Sequence, residues 1–226
     1  MCCPMRNPDN QLSSFQRLWA FSAVLMVSSC AARPPHETGA FKPSELVELR
    51  RLDPSIRLDI RYATTKNFAG RAVYSEARAF LQRPAAEALV RVNKELETLG
   101  YRLLVFDGYR PWSVTKLFWD ITPREKRKFV ANPKKGSRHN RGCAVDLSLW
   151  DIATGKEVAM TGAYDEMSPR SYVAYAGGTA EQRAKRDLLR SKMEQHGFKV
   201  IPDEWWHFDY QDWRSYRIQN IPFEKL

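Results

Sequence analysis

The chain has 226 residues, enough for one domain with a substantial core. Its 43% hydrophobic and 12% aromatic content excludes a disordered chain. The formal charge of +10 comes from Lys and Arg spread along the chain without an aromatic-basic motif, which argues against nucleic acid and suits a protein facing anionic lipid or cell-wall polymer.

Arg6 and Arg17 precede an apolar run of ten residues, Leu18 to Val27. Such a run is too short to span a bilayer and suits the core of a signal peptide. It ends in Val27-Ser28-Ser29-Cys30, which resembles a bacterial lipobox: a branched apolar residue, two small residues, and the Cys that receives lipid. An ordinary signal peptide cut nearby is the plainer alternative. On the lipobox reading, residues 1–29 are a lipoprotein signal peptide and Cys30 is the lipidated membrane anchor. Ala31 then leans toward the outer membrane of a two-membrane cell. The expected address is exported, a periplasmic lipoprotein. Cys2 and Cys3 leave with the signal, so Cys143 is the one thiol remaining and no internal disulfide is expected. Residues 30–43, with Pro34, Pro35, Gly39 and Pro43, read as a tether, and residues 44–226 as one domain.

Within that domain, Leu58 to Tyr62 alternates as a strand does, and Asn67-Phe68-Ala69-Gly70 is a turn. Pro84 to Leu99 places Ala85, Leu89, Val92, Leu96 and Leu99 on one helical stripe, with Pro in the first turn and Gly100 just past the end. Tyr101 to Phe106 reads as a buried strand. Pro111 to Asp120 reads as a helix, and Thr122-Pro123 opens a charged helical stretch to Val130. Val145 to Trp150 is strand-like, with Gly155 in a hairpin-like turn after it. Glu181 to His196 is a second long helix stopped by Gly197, and Trp205 to Tyr210 an aromatic strand. Helices and strands mix without strict alternation. The expected class is α+β: a single domain whose antiparallel sheet carries the site, flanked by helices.

Histidine is scarce, with four in the chain, yet two fall in short segments rich in other metal ligands. Ser137-Arg138-His139-Asn140-Arg141-Gly142-Cys143-Ala144-Val145-Asp146 is the first, and Glu204-Trp205-Trp206-His207 the second. A catalytic zinc takes three protein ligands and keeps one position open. His139, Asp146 and His207 supply three, leaving Glu204 as a base. Asp146 lies too far from His139 for one helical turn, which fits a loop freed by Gly142 and then a strand. Glu204 and His207, three apart, fall on opposite faces of a regular strand, so a bulge or twist is required there. Read singly, Asp146 could pair with Arg141 and His207 could be a core histidine. Cys143, between Gly142 and Ala144, reads as a small packing residue.

At these residues the chain resembles the zinc DD-peptidases, whose pattern is S-x-H-x-x-G-x-A-x-D followed by E-x-W-H. Within them it is most similar to the D-alanyl-D-alanine dipeptidases. Asp59-Ile60-Arg61-Tyr62-Ala63-Thr64 with Asn67-Phe68, Asp107-Gly108-Tyr109-Arg110-Pro111, and the doubled Trp of Glu204-Trp205-Trp206-His207 extend the likeness over about residues 50 to 210. The resemblance implies one zinc ion held by His139, Asp146 and His207. It implies Glu204 as catalytic base and acid, Arg110 as stabiliser of the transition state, and Asp165 as partner of the substrate ammonium. Ser137 is a candidate for the substrate carboxylate. The implied activity is zinc-dependent hydrolysis of the free dipeptide D-Ala-D-Ala. A DD-carboxypeptidase acting on peptidoglycan stem peptides and a non-catalytic wall-binding lipoprotein are the alternatives. No obligate protein partner is evident.

Overall fold

The computed structural model describes residues 32–226. The apolar run and the lipobox, Leu18 to Cys30, lie outside the described residues. The described chain opens with β1 (Leu46–Glu48), α1 (Leu49–Leu52), β2 (Arg57–Leu58), β3 (Phe80–Gln82) and the long helix α2 (Arg83–Thr98). It continues through β4 (Tyr101–Asp107), α3 (Trp112–Ile121), β5 (Ala144–Asp151) and β6 (Lys156–Glu157). It ends with α4 (Ala180–Gln195), β7 (Phe198–Ile201) and β8 (Glu204–Tyr210). The main sheet runs β2-β4-β5-β8-β7, with β6 paired to the outer end of β5, while β1 and β3 form a separate antiparallel pair. All pairings in the main sheet are antiparallel except the short parallel contact of β2 with β4. The expected α+β class is the one observed.

α2 forms where its apolar period places it, and it buries Ala85, Leu89, Val92 and Leu96. Each large aliphatic side chain so buried contributes about 1.5–3 kcal/mol. Pro84 costs nothing in the first turn, where an N–H has no helical partner. One polar residue interrupts the apolar face. The buried Asn93 amide donates to Asp53 Oδ2 and Ser55 Oγ, and its oxygen accepts from Leu103 N, so it is fully satisfied and ties α2 to β4. α4 begins with a capping box in which Thr179 and Gln182 satisfy each other's backbone N–H. α2 packs on β4, α4 on β7, and the two helices touch each other, so both cover one face of the sheet.

Three sequence expectations require correction. Leu58 to Tyr62 is not one strand: pairing stops at Leu58, and Arg61–Ala63 form a 3-10 turn that sends Tyr62 into the interior. The charged stretch after Thr122 is 3-10 rather than α-helical, over Arg124–Phe129, and buries none of its residues. The described part of the 30–43 tether is not a free linker. Glu37 pairs with Arg141 and accepts from Ile218 N, and Lys42 N donates to Ser215 O, so this segment is strapped to the domain. Arg141 is thereby committed to Glu37, not to Asp146.

Candidate active site

The site assembles at the middle of the sheet. Asp146 on β5 and His207 on β8 are direct partners across the antiparallel ladder, so their side chains emerge side by side on one face. His139 comes from a 3-10 turn, His139–Arg141, that precedes β5. Gly142 ends this turn at φ +69°, and a Cβ there would stand 2.4 Å from the Leu46 side chain, so both conformation and space call for glycine. Ser137 Oγ accepts from His139 N at 3.2 Å, and Asn140 Oδ1 accepts from Ser137 N at 2.8 Å. The Asn140 amide donates to Arg110 O and Thr115 Oγ1, both at 2.8 Å, stitching the histidine turn to the arginine segment.

The distortion demanded by the spacing of Glu204 and His207 is present. Val200 pairs with Phe208 but the next residue, Ile201, pairs with Glu204, so β8 bulges over Trp205 to His207. A second irregularity, between Val105 and Asp107 on β4, sets Asp107 opposite Asp146. The site thus lies between two bulges, each re-aiming side chains that a regular ladder would turn away.

His139 Nε2 stands 3.1 Å from His207 Nδ1 and 3.3 Å from Asp146 Oδ1, and His207 Nδ1 stands 2.9 Å from the same oxygen. Three ligands around one tetrahedral ion at about 2.0–2.1 Å are separated by about 3.3 Å, so this triangle already has the dimensions of a metal donor set. The far nitrogens fit that reading as well. His139 Nδ1 donates to the Gly108 carbonyl at 2.7 Å, which can only accept, and the Nε2 lone pair is thereby aimed at the triangle. His207 Nε2 donates to Asp209 Oδ1 at 3.0 Å, leaving Nδ1 as the inward atom. Gly108 itself packs closely on β3, where a Cβ would lie 2.7 Å from Phe80 O.

Arg110 is buried, and its Nε and Nη2 both donate to Asp107 Oδ2, at 2.9 and 2.7 Å. Asp107 is itself fixed by Tyr74 Oη and Gly108 N, which donate to its other oxygen. The guanidinium lies 3.7 Å from Asp146 Oδ2 and rests on the Phe118 and Tyr62 rings. Pairing with Asp107 therefore does not remove Arg110 from the site; it aims it there. Asp165 adopts φ +61°, and both its oxygens accept from Tyr62 Oη, at 3.0 and 2.8 Å. Glu204 Oε2 stops 3.8 Å short of His207 Nδ1, beside the triangle rather than in it.

The charges are tuned by this crowding. Burial raises Glu204 to about 8, with the Asp146 charge adding to the effect against the pull of His207. Burial likewise raises Asp165 to about 7, again with Asp146 contributing. Burial alone would lower His207, but hydrogen bonds to Asp146 and Asp209 lift it to about 10. Asp146, despite burial, is held far below the usual carboxylate range by the two imidazoles. The ionised Asp146 thus makes its neighbours Glu204 and Asp165 hold their protons more tightly.

His139, Asp146, His207, Glu204, Arg110 and Asp165 all line one narrow cleft with a cavity volume of about 40 Å³. Phe68, Phe129, Met167 and Trp206 supply apolar wall. Ser137 is not on this wall; its hydroxyl shapes the His139 turn. Trp206 faces the cleft, whereas Trp205 and Phe208 are core. Cys143 is buried among core residues, its thiol pushed up to about 12 by burial, and stands outside the donor set. Sequence reasoning missed Tyr62 as the partner of Asp165, Asp209 as the partner of His207, and Tyr164, whose hydroxyl reaches Asp146. Of these only Asp209 had a usable signal, since strand residues two apart share a face.

Comparison with known proteins bears on the same residues. The family of M15 peptidases described as D-Ala-D-Ala dipeptidase matches residues 42–224. The D-alanyl-D-alanine dipeptidase of Escherichia coli (strain K12) is 33% identical over 175 residues, covering 77% of this chain and 89% of that protein. The proteins of the same name from Enterococcus faecium and Streptomyces coelicolor are 35% and 34% identical, each covering 70% of this chain and 87% of the relative. With the match spanning nearly the whole described domain, this chain belongs to the D-Ala-D-Ala dipeptidase family of M15 peptidases.

Proposed function

We propose that this protein is a zinc-dependent dipeptidase that hydrolyses free D-Ala-D-Ala to two D-alanine molecules, in peptidoglycan metabolism. The observation that carries the reading is the triangle of His139, Asp146 and His207 donors in one cleft with Glu204, Arg110 and Asp165. Zinc held by those three residues would supply a Lewis acid that polarises the scissile carbonyl and acidifies water. Glu204, beside the donor triangle and outside it, takes a proton from the attacking water and returns it to the leaving amine. Arg110, kept charged and aimed by Asp107, opposes the negative charge that develops on the carbonyl oxygen. Asp165, held at its oxygens by Tyr62, accepts the substrate ammonium. The apolar wall limits the length of peptide that fits.

The test compares purified protein on free D-Ala-D-Ala and on an N-acylated tripeptide ending in D-Ala-D-Ala. Hydrolysis of the free dipeptide alone is expected. Activity confined to the acylated substrate would make the protein a carboxypeptidase, and no activity with tight peptidoglycan binding would make it a wall-binding protein. Arg110→Ala is expected to lower kcat about 10²–10³-fold with zinc content unchanged, the usual cost of one preorganised donor. Equal kcat in the variant would remove Arg110 from the reaction.

The exported, lipid-anchored address is a further part of the proposal, and its support is the sequence of residues 17–30. Cys30→Ser is expected to abolish lipid labelling and release the protein from membranes. Membrane association that persists in this variant would contradict the anchor.

A further inference from the structure

Tyr164 is buried, and among the described residues its hydroxyl has one hydrogen-bond partner, Asp146 Oδ2, to which it donates at 3.3 Å. The carboxylate of Asp146 is therefore divided. Its Oδ1 belongs to the donor triangle, 2.9 Å from His207 Nδ1 and 3.3 Å from His139 Nε2. Its Oδ2 is turned away, toward Tyr164 Oη and, more distantly, Arg110 Nη2 at 3.7 Å.

The tyrosine ring is held on several sides. It stacks on Phe106 at 4.4 Å with 23° between planes and meets Trp206 edge-on at 5.7 Å. The Arg61 guanidinium lies 4.6 Å from the Phe106 ring centre and 5.7 Å from that of Tyr164, and is itself fixed by Asp59 and Glu157. An aromatic stack of this kind leaves the ring little freedom. The hydroxyl is thus a fixed donor. A free carboxylate rotates and offers either oxygen, or both, to a cation; a hydrogen bond to the second oxygen holds the carboxylate plane and favours the first.

We propose that Tyr164 is a positioning residue that presents Asp146 to the metal through a single oxygen, Oδ1. This rests on the reading of His139, Asp146 and His207 as a metal site. The Tyr164→Phe variant keeps the stacked ring and deletes only the hydroxyl. Metal-free wild type and variant would be titrated with zinc against a chromophoric chelator, and with cobalt to record its visible absorption. Wild type is expected to bind one ion per chain; failure of the wild type to bind would sink the metal-site reading itself. Given wild-type binding, Tyr164→Phe is expected to bind zinc about 10–100-fold more weakly, the usual effect of losing a hydrogen bond behind a ligand. Its cobalt spectrum is expected to shift. Equal zinc affinity with an unchanged cobalt spectrum overturns the proposal. A second variant, Phe106→Leu, retains the hydroxyl but removes the ring it stacks on. It is expected to shift the cobalt spectrum in the same direction, and an unshifted spectrum counts against the proposal even if Tyr164→Phe fails to fold.

Discussion

Glu204→Gln is expected to lower kcat by about 10²–10⁴-fold, the range contributed by general acid–base catalysis, while the protein keeps its zinc. The substitution preserves size and shape and removes only the ability to accept a proton. Glu204 stands beside the donor triangle, with Oε2 3.8 Å from His207 Nδ1, so metal binding does not depend on it. The other non-ligand carboxylate on the cleft wall with a raised proton affinity, Asp165, is engaged by the Tyr62 hydroxyl and is a poor substitute. The sign of the pH effect follows. A base must be ionised to work, so activity falls as pH drops through its pKa, and that acid limb is expected to vanish from the kcat/KM profile of the variant. Steady-state kinetics and metal analysis on the same sample check both points. A fully active Glu204→Gln protein would show that the proton is moved by another group.

The second large effect concerns the donor triangle. His207→Ala is expected to abolish stoichiometric zinc retention and reduce turnover on the order of 10³-fold or more, since loss of the Lewis acid forfeits several kcal/mol of transition-state stabilisation. Dialysis against a chelator is expected to have the same effect on wild type, with recovery when zinc is restored. The triangle also predicts a proton count. In the metal-free protein His207 Nδ1 faces Asp146 Oδ1 at 2.9 Å while its Nε2 faces Asp209, and these two carboxylates hold it protonated near neutral pH. A cation displaces the Nδ1 proton, so zinc binding in weak buffer is expected to release at least one proton per chain. Zinc retention by His207→Ala, or activity that survives thorough chelation, would count against His207 as a ligand.

Much of this was legible in the chain. The period of Pro84 to Leu99, the stop at Gly100 and the apolar run Tyr101 to Phe106 are interactions between near neighbours, and α2 and β4 follow them closely. The two motifs named the donors because scarce residue types fell at specific spacings. Leu58 to Tyr62 shows where this kind of reading fails. Its alternation is real, but Tyr62 is needed at Asp165, a residue 103 positions away, and the backbone turns to deliver it. The tether composition of residues 30–43 was equally local; it could not announce that Glu37 meets Arg141 and Ile218.

The sequence by itself determined the residue types, their order, the three longer helices and the need for a strand distortion before His207. Tertiary structure decided how those residues converge. The pairing of Asp146 with His207 depends on ladder register, and the placement of Glu204 depends on a bulge against β7. The aim of Arg110 depends on Asp107, and the division of labour between the two oxygens of Asp146 depends on Tyr164. The physical reason is common to all four. Helical periods and turn residues act over a few bonds, whereas donor geometry and charge balance act across distances that only the folded sheet brings down to hydrogen-bond length.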